Sequence, residues 1–478
     1  MKTALQKLVD YAVSLGASYA DVRWVRRSTD LLQLWDGSID NISVNESEGI
    51  GVRVLVRGAW GFAASNSIDG GMGTVEKSVA TALQSARWQK QPVELAAVPV
   101  VQDTWTTPVE QDLRKISFRE RLDLLLEADS AMREVPEVRQ RKASMGFYLT
   151  DQIFASSEGA LIEQHISECG AGLTALAADG NEVQHRSYPA SFQGNYATGG
   201  YEHVLSLDLV NGGRQCAGEA AALLKADTCE TGEQTIILDS SLLTLQVHES
   251  IGHALELDRV FGMEASYAGT SFATPEKLGN FRYGSPSVTI TADNTLRGGL
   301  ASAGYDDEGV PARRTELIKE GILTNYLTSR ETAAKLGVDV TSSMRADGWQ
   351  RTPLIRISNV NLEPGDSSLE EMIADTEEGI FMKTTKVYSI DDKRLNFEFG
   401  PEIAWKIEKG KCTRLLKNVR YRSMTPDFWN ACDAVAKDDE WKLWGVPVCG
   451  KGEPGQIVHV GHGTAAARFR NIRVEGSK

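Results

Sequence analysis

Glu48-Gly-Ile-Gly-Val-Arg-Val-Leu-Val56 and Glu168-Cys-Gly-Ala-Gly-Leu-Thr-Ala-Leu-Ala177 are two versions of one pattern, the second with one inserted residue. In both, a glutamate precedes two closely spaced glycines and a run suited to a buried strand. The flanking sequence recurs as well. Ahead of the first copy, residues 3–15 place Leu5, Leu8, Val9, Ala12 and Val13 at helical spacing and stop at Gly16. Ahead of the second, Ser117-Phe-Arg-Glu120 has the capping-box pattern and opens a helix through about Met132, with Leu122, Leu125 and Leu126 on one face. Strand-like runs follow each helix. In the first copy they cover residues 19–25, 31–35, 39–45, 51–56 and 59–64, with Asp36-Gly37 and Arg57-Gly58 where a hairpin needs positive φ. In the second they break at Glu158-Gly159 and Asp179-Gly180. A helix over residues 74–88 and a linker with Pro92, Pro99 and Pro108 stand between the copies. The reading is a duplicated helix-plus-meander unit, which makes residues 1–225 one domain of two similar halves.

A polar stretch at residues 227–232 opens a second domain, residues 226–478. Residues 234–238 read as a buried strand, and Ser240 or Ser241 as the cap of a helix continuing to Leu257. Hairpin signals then dominate: runs at 287–291, 315–318, 323–327, 354–357 and 402–407, with Glu320-Gly321 and Lys409-Gly410 as turns. Two β-rich domains with a few packed helices predict an α+β architecture.

A chain of 478 residues exceeds what one hydrophobic core usually organises. Its net charge of -14 disfavours a nucleic-acid partner, which would need a basic surface to displace counterions. No stretch approaches the roughly 18 apolar residues of a membrane span. Lys7 and Asp10 interrupt any signal-like apolar run near the start. The six cysteines lack framework spacing and read as reduced thiols, so the expected compartment is the cytoplasm.

The chemistry concentrates in Leu245-Gln-Val-His248-Glu249-Ser-Ile-Gly252-His253-Ala-Leu-Glu-Leu-Asp258. With only 7 histidines in the chain, two within six positions beside a glutamate stand out. Neutral imidazoles ligate zinc, and an adjacent carboxylate can take a proton from water there. The two histidines stand at i and i+5, which an ideal α-helix separates by about 140°. One extra residue in the turn, a π-bulge, returns them to one face, and Gly252 removes side-chain bulk at that point. Glu256 and Asp258, read as lying on the same helix, are candidates to orient a ligand or simply a solvated acidic end. A catalytic zinc needs a third protein ligand and an open fourth position. The segment Trp444-Gly-Val-Pro-Val-Cys449-Gly-Lys-Gly-Glu-Pro-Gly-Gln456 reads as a tight Gly/Pro turn exposing Cys449, with Lys451 placed to favour the thiolate. His459 and His462 compete for the same role.

His-Glu-Ser-Ile-Gly-His together with the Cys-Gly-Lys-Gly turn resembles the TldD half of the TldD/TldE (PmbA) family, peptidases with an HExxxH motif. Asp306-Asp-Glu-Gly-Val-Pro-Ala-Arg-Arg-Thr315, Pro353-Leu-Ile-Arg-Ile-Ser-Asn359, Pro364-Gly-Asp366 and Phe399-Gly-Pro-Glu-Ile403 resemble it too, so the similarity covers most of the chain. The resemblance implies that His248, His253 and Cys449 hold zinc and that Glu249 is the base. It also implies paired subunits, either a homodimer or a heterodimer with a TldE-like chain, acting on unfolded or small peptides. The tail Val458-His-Val-Gly-His462-Gly departs from the family pattern. Two other functions stay open at this point: a non-catalytic zinc-binding regulator, whose site a fourth ligand such as His459 or His462 would close, and a zinc hydrolase of another amide.

Overall fold

The computed structural model describes residues 1–267, 269–452 and 455–476, so Glu453 and Pro454 of the Cys449 segment lie outside the described residues. Helix α1 (Lys2–Ser14) leads into β1 (Tyr19–Trp35), β2 (Ser38–Val56), β3 (Ala59–Ser65) and helix α2 (Gly71–Ser85). After a short β4 (Gln102–Thr106), the order repeats as α3 (Phe118–Arg133), β5 (Val138–Ser156), β6 (Leu161–Asp179) and β7 (Glu182–Tyr188). Then come β8 (Asn195–Thr198), α4 (Tyr201–Ser206) and α5 (Leu209–Leu223). Helix, two long strands, a short strand and a helix thus occur twice. The halves join through the antiparallel β1–β5 pair at the middle of one sheet, ordered β3-β2-β1-β5-β6-β4, with β7 and β8 also on β6. The matching glycine pairs fall in the equivalent strands β2 and β6. At each, a neighbour presses where a Cβ would stand: Trp349 against Gly49 and Gly51, Tyr196 against Gly170 and Gln193 against Gly172.

The hairpin turns fall where expected, with positive φ at Asp36, Gly37, Arg57 and Gly58. The Ser117 capping box is complete, Ser117 and Glu120 satisfying each other's backbone N–H groups. Four expected runs are in fact two long strands. Residues 26–30 read as polar and unlike a strand, yet Arg26 pairs with Glu48 and Asp30 with Val44 on one side, and with Asp151 and Phe147 on the other. A ladder on both edges holds β1 extended where no side-chain burial signals it.

The remaining chain builds a second sheet, in the order Glu378–Ile390, Gly232–Leu238, Ala467–Gly476, Val419–Met424, Asn396–Glu408, Lys411–Lys417 and Asp227–Thr228. A four-stranded sheet around Ile290–Asp293 and the hairpin Lys442–Lys451/Gln456–Thr464 pack beside it. The architecture is α+β. Several runs in this region are shorter or displaced: 323–327 contributes only Ile322–Leu323, 287–291 becomes Ile290–Asp293, and 354–357 only Leu354–Ile355. Apolar residues there fill the core without joining a ladder, as Tyr326 and Ile357 do, while Leu327 makes only a single bridge to Glu256. No helix among the described residues is long and apolar enough to cross a membrane. Buried ion pairs tie the two sheets' regions together: Arg23 to Asp307 at 3.1 Å, Arg53 to Glu308 at 3.0 Å and Arg186 to Glu402 at 2.7 Å.

Candidate metal centre

The central segment starts with helix α6 (Ser240–Val247), capped by Asp239, whose Oδ1 accepts from the Ser241 N–H at 2.9 Å; neither serine is the cap. At His248 the helix widens into a π turn, His248–Gly252, and then tightens into a 3₁₀ turn, His253–Leu255. The extra residue puts both imidazoles on one face, 4.7 Å apart between ring centres. A widened turn frees backbone groups that need partners. The Ser250 carbonyl accepts the Tyr283 hydroxyl at 2.5 Å, and the Ser250 side chain takes the Trp429 indole N–H at 2.9 Å. Gly252 is right-handed, with φ -51°. Its missing side chain makes room for Ile357, whose Cδ1 would stand 2.7 Å from a Cβ. The expected continuous helix to Leu257 ends at Glu256, which is extended at ψ 114°.

Cys449 belongs to a strand, where a tight turn was expected. It lies in Lys442–Lys451, opposite Val458, just past a register irregularity that includes Pro447, which lacks a ladder N–H. The buried Arg356 guanidinium grips the hairpin by donating to the Cys449 carbonyl and, at 3.2 Å, to the Gln456 carbonyl. This arrangement brings Cys449 Sγ to 3.5 Å from His248 Nε2 and 3.6 Å from His253 Nε2. All three side chains are buried, and their ligand atoms lie within 4.8 Å of one another. Tetrahedral zinc with ordinary Zn–N and Zn–S bonds sets nitrogen and sulfur about 3.6 Å apart, so the donor set fits that ion. Burial works against ionising the Cys449 thiol, yet His248, His253 and Arg356 hold it well below the usual thiol range.

Each imidazole is oriented by its other nitrogen. His462 Nδ1 lies 2.9 Å from the Val360 carbonyl, which can only accept, so that nitrogen carries the proton. His462 Nε2 is then free to accept from His248 Nδ1 at 2.9 Å, which leaves the His248 Nε2 lone pair facing Cys449. His253 Nδ1 meets Glu256 Oε2 at 2.9 Å, with the same consequence. Glu256 is wholly buried, and Lys451 and His253 hold its carboxyl well below the carboxylate range against the effect of burial. The Lys451 ammonium sits 2.7 Å from Asp258 and 3.3 Å from Glu256. Of the rival ligands, His462 has both nitrogens engaged, and His459 points elsewhere, bonded to Glu168 at 3.0 Å and edge-on to Tyr148.

An open cleft of ≈ 790 Å³ reaches this cluster, lined also by Glu249, Phe192, Thr385, Tyr388, Arg394 and Trp444. Glu249 Oε2 is held by Arg394 Nη1 at 2.8 Å. Sequence reading missed Arg394 and Tyr388 because they come from a hairpin well over a hundred residues downstream, with no local motif. His462 and Arg356 did lie in quoted stretches, but nothing in the spacing gave their roles.

Three family models match the chain in succession: the PmbA/TldA metallopeptidase domain 1 over residues 20–86, the central domain over 111–226 and the C-terminal domain over 231–476. The chain belongs to the PmbA/TldD metallopeptidase family. A metalloprotease of Methanocaldococcus jannaschii is 32% identical, over 94% of this chain and 95% of its own. A zinc metalloprotease TldD homolog of Saccharolobus solfataricus is 25% identical, over 98% of this chain and 99% of its own. The crystal structure of TldE from Thermococcus kodakarensis shares the fold, with a TM-score of 0.76 at 16% identity, covering 99% of this chain and 100% of that one.

Proposed function

We propose that this PmbA/TldD-family chain is a zinc-dependent peptidase of unfolded or small peptides. His248, His253 and Cys449 hold the zinc, and Glu249 moves the proton. The observation that carries the reading is the convergence of two Nε2 atoms and one Sγ within 4.8 Å beside an open cleft, with both Nδ1 atoms already engaged. Zinc, when bound, acidifies water and polarises a peptide carbonyl. Glu249 takes the proton from the attacking water and returns it to the departing amine. Arg394 holds the Glu249 carboxylate in place, while His462 and Glu256 fix the tautomers of the two histidines. The peptide lies extended in the cleft as an added strand. Residues 383–390 and 446–450 each have a strand neighbour on one side only among the described residues, which leaves edge groups to pair with it.

Residues 226–478 form the catalytic unit, and residues 1–225 pair subunits and control access. The partner is a second copy or a TldE-like chain, and the six unpaired cysteines favour the cytoplasm. The test is zinc analysis together with hydrolysis of an unstructured peptide, on the wild type and on Glu249→Gln. The wild type should carry about one zinc and cleave; Glu249→Gln should keep the zinc and lose at least about 100-fold in kcat, the usual weight of a general base. An active Glu249→Gln protein would sink the mechanism.

A further inference from the structure

Two residues of one hairpin beside the cleft keep backbone conformations that glycine adopts at less cost. Thr384 has φ 57° and Arg394 φ 59°, within and at the end of the hairpin Glu378–Ile390/Asn396–Glu408. For a β-branched residue this is an outlier, and such strain clusters where side chains must be placed for function. Both positions are pinned from outside: the Thr384 N–H donates to Ser241 Oγ at 3.2 Å, and the Thr425 hydroxyl donates to the Arg394 carbonyl at 2.7 Å. The outcome is that Thr385 and Arg394 line the cleft next to the His-His-Cys cluster.

Arg394 Nη1 is taken by Glu249 at 2.8 Å, but other polar atoms there have no partner among the described residues. The Thr385 hydroxyl, Arg394 Nε and Trp444 Nε1 are all buried without a hydrogen-bond partner among the described residues, and all three residues line this cleft. Buried polar groups are nearly always paired, so three orphans around one cavity point to a ligand. The guanidinium and indole can only donate, so the complementary group is an acceptor. Arg394 is the only lysine or arginine lining the cleft among the described residues, and Glu249 the only carboxylate. With Nη1 on Glu249, the guanidinium keeps its Nε edge for a second acceptor, and the planar fork of arginine suits a carboxylate there.

We propose that Arg394, Thr385 and Trp444 form a carboxylate-binding subsite beside the metal cluster, so that the cleft takes peptides presenting a carboxylate. The inference rests on the peptide reading of this same cleft. The net charge of -14 draws basic peptides from a distance, but that attraction is screened by salt, whereas the subsite acts at contact. The carboxylate comes either from a free C-terminus or from an aspartate or glutamate side chain.

The test is calorimetric titration of the zinc-loaded full chain with three short ligands: an N-acetyl dipeptide free acid without acidic side chains, its C-terminal amide, and an amide of the same length containing one aspartate. One of the two carboxylate ligands should bind at least about tenfold tighter than the plain amide, the scale of one charge-assisted contact. Tighter binding of the free acid assigns the C-terminus, and of the aspartyl amide the side chain. In Arg394→Ala the preference should fall below about twofold with zinc content retained; Arg394→Lys should keep part of it, and Thr385→Val should weaken it without abolishing it. Equal affinity of all three ligands for the wild type overturns the proposal. So does a preference that survives in Arg394→Ala, the result expected if the carboxylate sat on the metal. Because affinity and hydrolysis are measured in separate experiments, a protein that discriminates acid from amide but cleaves no peptide refutes the peptidase reading alone.

Discussion

Cys449 comes to the cluster from a strand whose carbonyl is fixed by Arg356, so replacing its side chain should remove a ligand without loosening the hairpin. Cys449→Ala is expected to lose most of the zinc found by metal analysis, while His459→Ala, whose ring is bonded to Glu168, keeps it. Full zinc in Cys449→Ala with loss in His459→Ala would reverse the assignment. His462 is a different case. It touches no metal position but sets the tautomer of His248, so His462→Leu should weaken zinc about 10–100-fold in a chelator competition, with folding intact. Unchanged affinity would mean that His248 needs no such partner. Much of this site was legible in the sequence: scarcity of histidine marked His248 and His253, and the i, i+5 spacing demanded the π turn that the structure contains. The orienting residues were not legible. His462 and Arg394 meet the central segment, and Val360 meets His462, only because parts of the chain distant in sequence converge there, and chain separation leaves no local pattern to read.

The π turn exists because several elements pack it into place, with Tyr283 on the Ser250 carbonyl, Trp429 on the Ser250 hydroxyl and Ile357 against Gly252. Ile357 is wholly buried and has little room to yield. Gly252→Ala should therefore cost about 1–3 kcal/mol by overpacking, seen as a lower Tm, and should weaken zinc by tilting His253. Ile357→Val removes the Cδ1 that meets the new methyl, so the double variant should recover most of both losses. A Gly252→Ala chain as stable as the wild type would show that the approach is not tight. Elsewhere at this scale, what the sequence signalled were turns and caps, where single residue types carry the conformation: Asp36-Gly37, Arg57-Gly58, Glu320-Gly321, Lys409-Gly410 and the Ser117 box. Strand extent was less legible. A strand paired on both edges, such as residues 26–30 of β1, needs no alternating burial, while apolar Tyr326 and Ile357 enter the core from irregular chain.

For the whole molecule, the duplicated N-terminal sheet leaves one feature without a function inside a single chain. The β1–β2 hairpin runs beyond β3, which pairs β2 only from Ile50 onward, so residues 38–49 of β2 are an unpaired edge among the described residues. Along that edge Ile39, Ile42 and Val44 are 47%, 50% and 64% exposed, an apolar row on a strand that nothing covers. Exposed apolar edges are commonly covered by another chain, by added pairing or by side-chain packing. The native particle is therefore expected to be at least a dimer, with this hairpin in the contact. Sedimentation equilibrium at micromolar concentration should give a mass of at least twice the 52.2 kDa chain. Placing a charge in the row, as in Val44→Asp, should shift the population toward monomer while zinc content stays unchanged, because the hairpin tip takes no part in the metal cluster. If enclosure by a partner limits access, the monomeric variant should also begin to cleave folded proteins that the wild type spares. A wild-type mass of one chain across that concentration range, or a dimer indifferent to Val44→Asp, would show that the hairpin serves some other purpose.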